Sequence, residues 1–200
     1  MYDAGYAFAK RHDDGTQSAR DSVHMDAQSL SFYADISRFL CERIRGTQEP
    51  LSILDIGPRT GSGLALLRLM HHPMSYAAVK LDPVTGIDID PVFKKTAERH
   101  YPDIEALCGD AFTLGRTFDV VMSSHTIEHV DDPDDFITRM QSIARRLVVI
   151  ACPFEEQDRI VWHKNTIGYH FLSRHGFHDM HVYRSNHWFN SLCVIACKWL

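Results

Sequence analysis

The residues that could do chemistry in this chain are carboxylates placed at turns and a short run rich in histidine. Asp55 stands just before Gly57 in LSILDIGPRTGSG. Gly57 and Gly61 let the backbone turn sharply and approach a ligand, and a helix that follows directs its N–H groups to the same place. An acidic side chain beside such a turn repels a pyrophosphate but suits a ligand carrying an ammonium group. It also suits a plainer role, tying down loop amides. Asp88, followed by Ile89, ends VTGIDI, where a carboxylate can accept from both hydroxyls of a ribose. Asp90 competes for that part, but Pro91 after it marks Asp90 as a helix cap. In CGDAF, Asp110 with the backbone of Ala111 and Phe112 can take an exocyclic amine or simply close a turn. Ser123-Ser124-His125-Thr126-Ile127-Glu128-His129 gathers the acids and bases a reaction centre needs.

The pattern around these residues predicts the elements that position them. From Asp26 to about Gly46, Leu30, Tyr33, Ala34, Ile36, Phe39, Leu40 and Ile44 recur at helical spacing. LSILDI is then a short apolar strand, the glycine turn follows, and GLALLRLM is a helix. VTGIDI, IEALCGD, FDVVMSS and LVVIACP continue as strands. PVFKKTAERHY forms a helix, as does DDPDDFITRMQSIARR, with Asp132 at its cap, Pro133 first, and Phe136, Ile137, Met140 and Ile143 on one face. MHVYRS and SLCVIACKW, joined by about six residues, form an antiparallel hairpin. Strands alternating with helices imply an α/β three-layer sandwich whose sheet is mostly parallel, and the hairpin adds one antiparallel strand. Ligands of such sheets bind outside the carboxyl ends of the strands.

Composition narrows the function. The chain has 200 residues, 44% hydrophobic and 24% charged, which predicts a single soluble domain. Residues 1–25 read as a polar arm or lid, 26–46 as the N-terminal helix, 50–153 as the binding core and 154–200 as a substrate-side segment with the closing hairpin. No apolar run reaches the ~20 residues of a membrane span, and the first residues lack a secretory signal, so a cytoplasmic protein without a membrane partner is expected. A net charge of −5 offers no footprint for nucleic acid. The five cysteines, without a CxxC pair, read as reduced core residues. The 13 histidines form no HExxH pair, so no metal site is expected.

LDIGPRTGSG resembles the first signature of the class I S-adenosylmethionine-dependent methyltransferases. GIDIDP resembles their second, GDAF their third, and FDVVMSSHTIEHVDDP the strand-four segment of their small-molecule subgroup. The resemblance covers about residues 50–153, and the hairpin fits the family's antiparallel seventh strand, which implies a Rossmann-like sheet of seven strands. It further implies that Asp55, Gly57, Pro58 and Gly61 cradle the methionine part of the cofactor, Asp88 and Ile89 the ribose, and Asp110 and Ala111 the adenine. Ser123 and Ser124 would line the same cleft. Arg59 stands where the family usually has glycine, and either points outward or folds over the methionine carboxylate. His129 belongs to a Glu-His pair that commonly supports structure in the family. His125 is the favoured base, with His163 and His170 within the late segment as further candidates. The implied reaction is methyl transfer to a small molecule, with the histidines tilting the expectation toward a hydroxyl of a sugar, glycan precursor or other metabolite. Two rivals stay open: a cofactor-binding regulatory protein without catalysis, and a Rossmann oxidoreductase, which GPRTGSG suits poorly because it lacks GxGxxG. The oligomeric state is not legible.

Overall fold

Alternating apolar runs bury both faces of a central sheet, and the helices between them supply the covering layers. In this computed structural model residues 25, 27–44, 46 and 49–200 are described. All but the last residue of the expected arm at 1–25 lies outside them. The strands are β1 (Leu51–Ile56), β2 (Leu81–Asp88), β3 (Glu105–Cys108), β4 (Phe118–Ser124), β5 (Ala144–Pro153), β6 (Asp179–Ser185) and β7 (Ser191–Trp199). The helices are α1 (Ala27–Arg43), α2 (Ser62–Met70), α3 (Pro91–His100), α4 (Pro133–Ile143) and α5 (Tyr169–Arg174). The strand order is β3-β2-β1-β4-β5-β7-β6. Pairings from β3 through β5 are parallel, and β7 runs antiparallel to both neighbours, as the hairpin requires.

Neighbouring residues of β1 serve opposite cores. Ile53 packs with α1 and α2 through Phe32, Tyr33, Ile36, Leu64 and Leu67, whereas Leu54 packs with α4 through Phe136, Ile137 and Met140. Each such side chain contributes about 1.5–3 kcal/mol on burial, an upper figure because the unfolded chain already hides some surface. At the amino ends of the strands, Asp119 of β4 accepts from the amide and hydroxyl of Ser52 in β1 at 2.9 and 2.8 Å, and Arg145 of β5 donates to it at 3.1 Å. The opposite ends, free of this bracing, carry the loops.

Several expectations change. In α1, Ala34 is exposed and Phe32 is buried, because Phe32 turns toward the loop after β4. β5 starts at Ala144, whose N–H still closes α4 on Met140 while the residue already pairs with Phe118. α5 is too short to show a helical period in sequence. Cys152, Cys193 and Cys197 are core residues, but Cys41 and Cys108 are exposed. Among the described residues, no helix is long and apolar enough to cross a membrane.

Candidate functional site

At the carboxyl end of β1 the chain enters a turn built on left-handed backbone. Gly57 has φ 80°, and a Cβ there would overlap the Oγ1 and Cγ2 of Thr126 in the loop after β4. Glycine therefore lets two loops close on each other above the sheet. Gly61 repeats the left-handed conformation at the cap of α2. Arg59 between them also has φ 57°, a costly conformation for a side-chain-bearing residue, and is half-buried rather than solvated. Pro58 is buried and packs near Gly86.

Asp55 is fully buried, and its Oδ2 accepts from the Tyr33 hydroxyl of α1 at 2.5 Å. Tyr33 reaches it because Gly63 in the first turn of α2 has no Cβ to block the ring. Oδ1 of Asp55 has no hydrogen-bond partner in the protein. Burial pushes the carboxyl up to about 7, the Tyr33 bond opposes this, and the charge of Asp88 adds to it. The plainer alternative for Asp55, tying down loop amides, is instead filled by Asp88, whose Oδ2 accepts from the amide of Arg59 at 3.2 Å and whose Oδ1 accepts from the amide of Asp90 at 2.9 Å. Burial raises the Asp88 carboxyl as well, against those amides. Ile89 beside it is exposed. Asp90 caps α3 through the amide of Val92, as Pro91 foretold. Asp110 is exposed and caps a single 3-10 turn through the amide of Phe112, while Ala111 is buried.

Beyond β4 the structure gathers a second group. Ser123 Oγ donates to the carbonyl of Ile56 at 2.9 Å, and Ser124 Oγ is buried without a partner. His125 has φ 53°, its N–H held by the carbonyl of Ala151. Its ring stacks on Phe32 with centroids 3.8 Å apart, Nδ1 lies 3.5 Å from Glu128 Oε1, and Nε2 is buried and unpartnered. Glu128 is buried with neither carboxylate oxygen in a hydrogen bond. Burial pushes its carboxyl up, but His125 and His129 together more than offset this and hold it below the usual range. His163 is buried, bonds Glu156 Oε2 through Nδ1 at 2.5 Å, and stacks on Trp188 from the hairpin turn. Glu156, Trp188, Phe154, Phe189 and Leu192 border a cavity of about 410 Å³. That cavity lies on the β5–β7 side, away from the glycine turn. His170 is exposed on α5 and stays outside the group.

A glycine turn flanked by Asp55 and Asp88 on a 3-2-1-4-5-7-6 sheet invites comparison with known proteins. The family model described as "Methyltransferase domain" matches residues 54–151. The chain belongs to the class I S-adenosylmethionine-dependent methyltransferases. It is a methyltransferase, and S-adenosylmethionine is its cofactor. No curated protein matches this methyltransferase by sequence. Solved structures do match it by fold. One is the N-methyltransferase NodS from Bradyrhizobium japonicum, with TM-score 0.66, 12% identity and coverage of 99% of this chain and 98% of that one. A second is magnesium protoporphyrin IX methyltransferase from Synechocystis, with TM-score 0.63, 16% identity and coverage of 98% and 90%. A third is 1,6-didemethyltoxoflavin-N1-methyltransferase from Burkholderia thailandensis, with TM-score 0.63, 15% identity and coverage of 97% and 85%. At such identities the likeness speaks for the fold.

Sequence reasoning missed four contributors to the methyltransferase site. Tyr33 lies on a helix whose spacing marks it as core, Phe32 falls outside that spacing, and only the fold brings them to Asp55 and His125. Glu156 and Trp188 sit in loops with no motif at all.

Proposed function

We propose that this methyltransferase acts on a hydroxyl group of a small metabolite, a sugar or glycan precursor among them, with His125 as the base. The observation that carries this reading is the bare Nε2 of His125. With Nδ1 turned to Glu128, the proton sits on that side and Nε2 keeps its lone pair at the end of β4. An alcohol must lose its proton as the new bond forms, and a positioned imidazole supplies the acceptor.

The residues present fit the cofactor. Asp55 offers a buried carboxylate oxygen without a protein partner, a suitable seat for an ammonium group. Pro58, Arg59 and the glycines at 57 and 61 form the cradle around the methionine part. Asp88 and the exposed Ile89 flank the ribose, Asp110 and Ala111 the adenine, and Ser124, with Ser123 behind it, lines the cleft. S-adenosylmethionine, when bound, supplies an electrophilic methyl group on its sulfonium. The chain's part is to align the acceptor and keep water out. Phe32 and Trp188 flank the His125 ring, and Trp188 in turn borders the 410 Å³ cavity on the β5–β7 side, which can hold part of a small acceptor.

The test is methyl transfer from labelled S-adenosylmethionine to a panel of small alcohols, phenols and sugars, with matched amines alongside. We expect transfer to a hydroxyl compound, and a kcat for His125→Ala lower by about 10²–10⁴ at nearly unchanged cofactor affinity. Transfer confined to amines, or a His125→Ala enzyme that keeps its kcat, would overturn the reading.

A further inference from the structure

Behind His125, Glu128, His129 and His163 bring three metal-ligating atoms together with no hydrogen bond among them. His129 turns Nδ1 to the carbonyl of Trp162 at 3.1 Å, and a carbonyl only accepts, so the ring's proton is on Nδ1. His163 likewise turns Nδ1 to the Glu156 carboxylate. In its neutral form each ring is thereby set as the tautomer whose Nε2 carries a lone pair. Those two nitrogens lie near one oxygen, Oε1 of Glu128, at 3.9 Å for His129 and 4.0 Å for His163. The three atoms all lie within 4.8 Å of one another. These separations are too long for hydrogen bonds, and with neutral rings they leave three acceptors converging in a largely buried place without a donor or cation between them. Neither oxygen of Glu128 completes a hydrogen bond in the protein, and the facing donor, His125 Nδ1, stops 3.5 Å from Oε1.

We propose that Glu128, His129 and His163 bind a divalent first-row transition-metal cation. The donor set of two imidazoles and one carboxylate is that of open metal centres, in which a further position is left for water or substrate. Zn–N and Zn–O distances of about 2.0–2.2 Å require the three side chains to draw in by roughly half an ångström. The partners behind the rings are those that metal-bound histidines use, a carboxylate on one and a backbone carbonyl on the other. Charge agrees: Glu128 and Glu156 bring two carboxylates into the cluster, and a dication balances them. His125 faces the same Oε1 at 3.5 Å and stands beside the three ligands. The His129 side chain is 39% exposed, which opens a path for the ion. The sequence reading expected no metal because it sought two histidines on one helix, whereas here a Glu-His pair after β4 meets a histidine from the loop after β5.

The existence of the site is independent of the acceptor. Its part in the reaction, lowering the pKa of a bound hydroxyl next to His125, rests on the reading above. The test uses the full chain stripped with a chelator and titrated with Co²⁺, whose visible absorption reports coordination by nitrogen and oxygen. We expect saturation at one equivalent, displacement by Zn²⁺, and unchanged spectra on adding amines or alcohols that are not acceptors. His129→Ala and His163→Ala should each weaken Co²⁺ at least tenfold. Glu156→Gln, on the partly exposed rim, should weaken it about 10–100-fold while S-adenosylmethionine still binds, which shows that the fold is intact. A wild-type chain that takes up no stoichiometric Co²⁺, or a Glu156→Gln chain that binds it as well as wild type, overturns the proposal whatever the acceptor proves to be.

Discussion

Replacing Asp55 by asparagine removes a titration that the fold displaces by about three pH units. An exposed Asp ionises near ~3.9, whereas burial in β1 pushes Asp55 up to about 7. The folded state therefore prefers the proton. Its stabilising contribution is fully present below the unfolded pKa and is lost as pH rises through the folded one. At ~1.36 kcal/mol per unit, the full loss is about 4 kcal/mol, of which about 2.5 kcal/mol falls between roughly pH 5 and pH 8. The amide of the Asp55→Asn variant cannot ionise, so the unfolding free energy of the variant minus that of wild type should climb by that amount over the interval. Urea unfolding of both chains at several pH values, without ligand, measures the difference and cancels the titrations they share. A constant offset shows only that asparagine fits Tyr33 worse than aspartate does. A difference that stays flat from about pH 5 to pH 8 would refute the assignment of a buried, proton-holding Asp55.

Gly57→Ala meets both a left-handed backbone and the Thr126 side chain, so it should lower stability by about 3 kcal/mol in urea unfolding. Adding Thr126→Ala should return the part due to overlap and leave the backbone part; a single variant as stable as wild type would show that the loops do not close as described. Asp88→Asn should weaken S-adenosylmethionine about tenfold or more in calorimetric titration, since a charged acceptor of ribose hydroxyls is lost. Unchanged affinity would mean that Asp88 serves only the amides of Arg59 and Asp90.

What the sequence made legible follows from how local each signal is. The glycine turn, the caps at Asp90 and Asp132 and the closing hairpin depend on neighbours a few residues away, and each is where its pattern places it. Asp55 stands out in the sequence by its place before the glycine turn but not as a buried acid bonded to Tyr33, because that bond crosses from α1 to β1. The metal-like cluster was least legible. Its members come from the loops after β4 and β5, and no spacing along the chain encodes their meeting.

The hairpin that carries Trp188 has a further consequence. Its strands are held by seven register pairs, from Ser185↔Ser191 at the turn to Asp179↔Cys197. The register is thus secured below the turn, and β7 is anchored again along β5. The residues from 186 to 190 are therefore modular: their identity and number can change without sliding a strand. If Trp188 contacts the acceptor as proposed, selectivity can drift there while the stability of the sheet stays put, and transplanting this turn between relatives would exchange acceptor contacts without disturbing the strands.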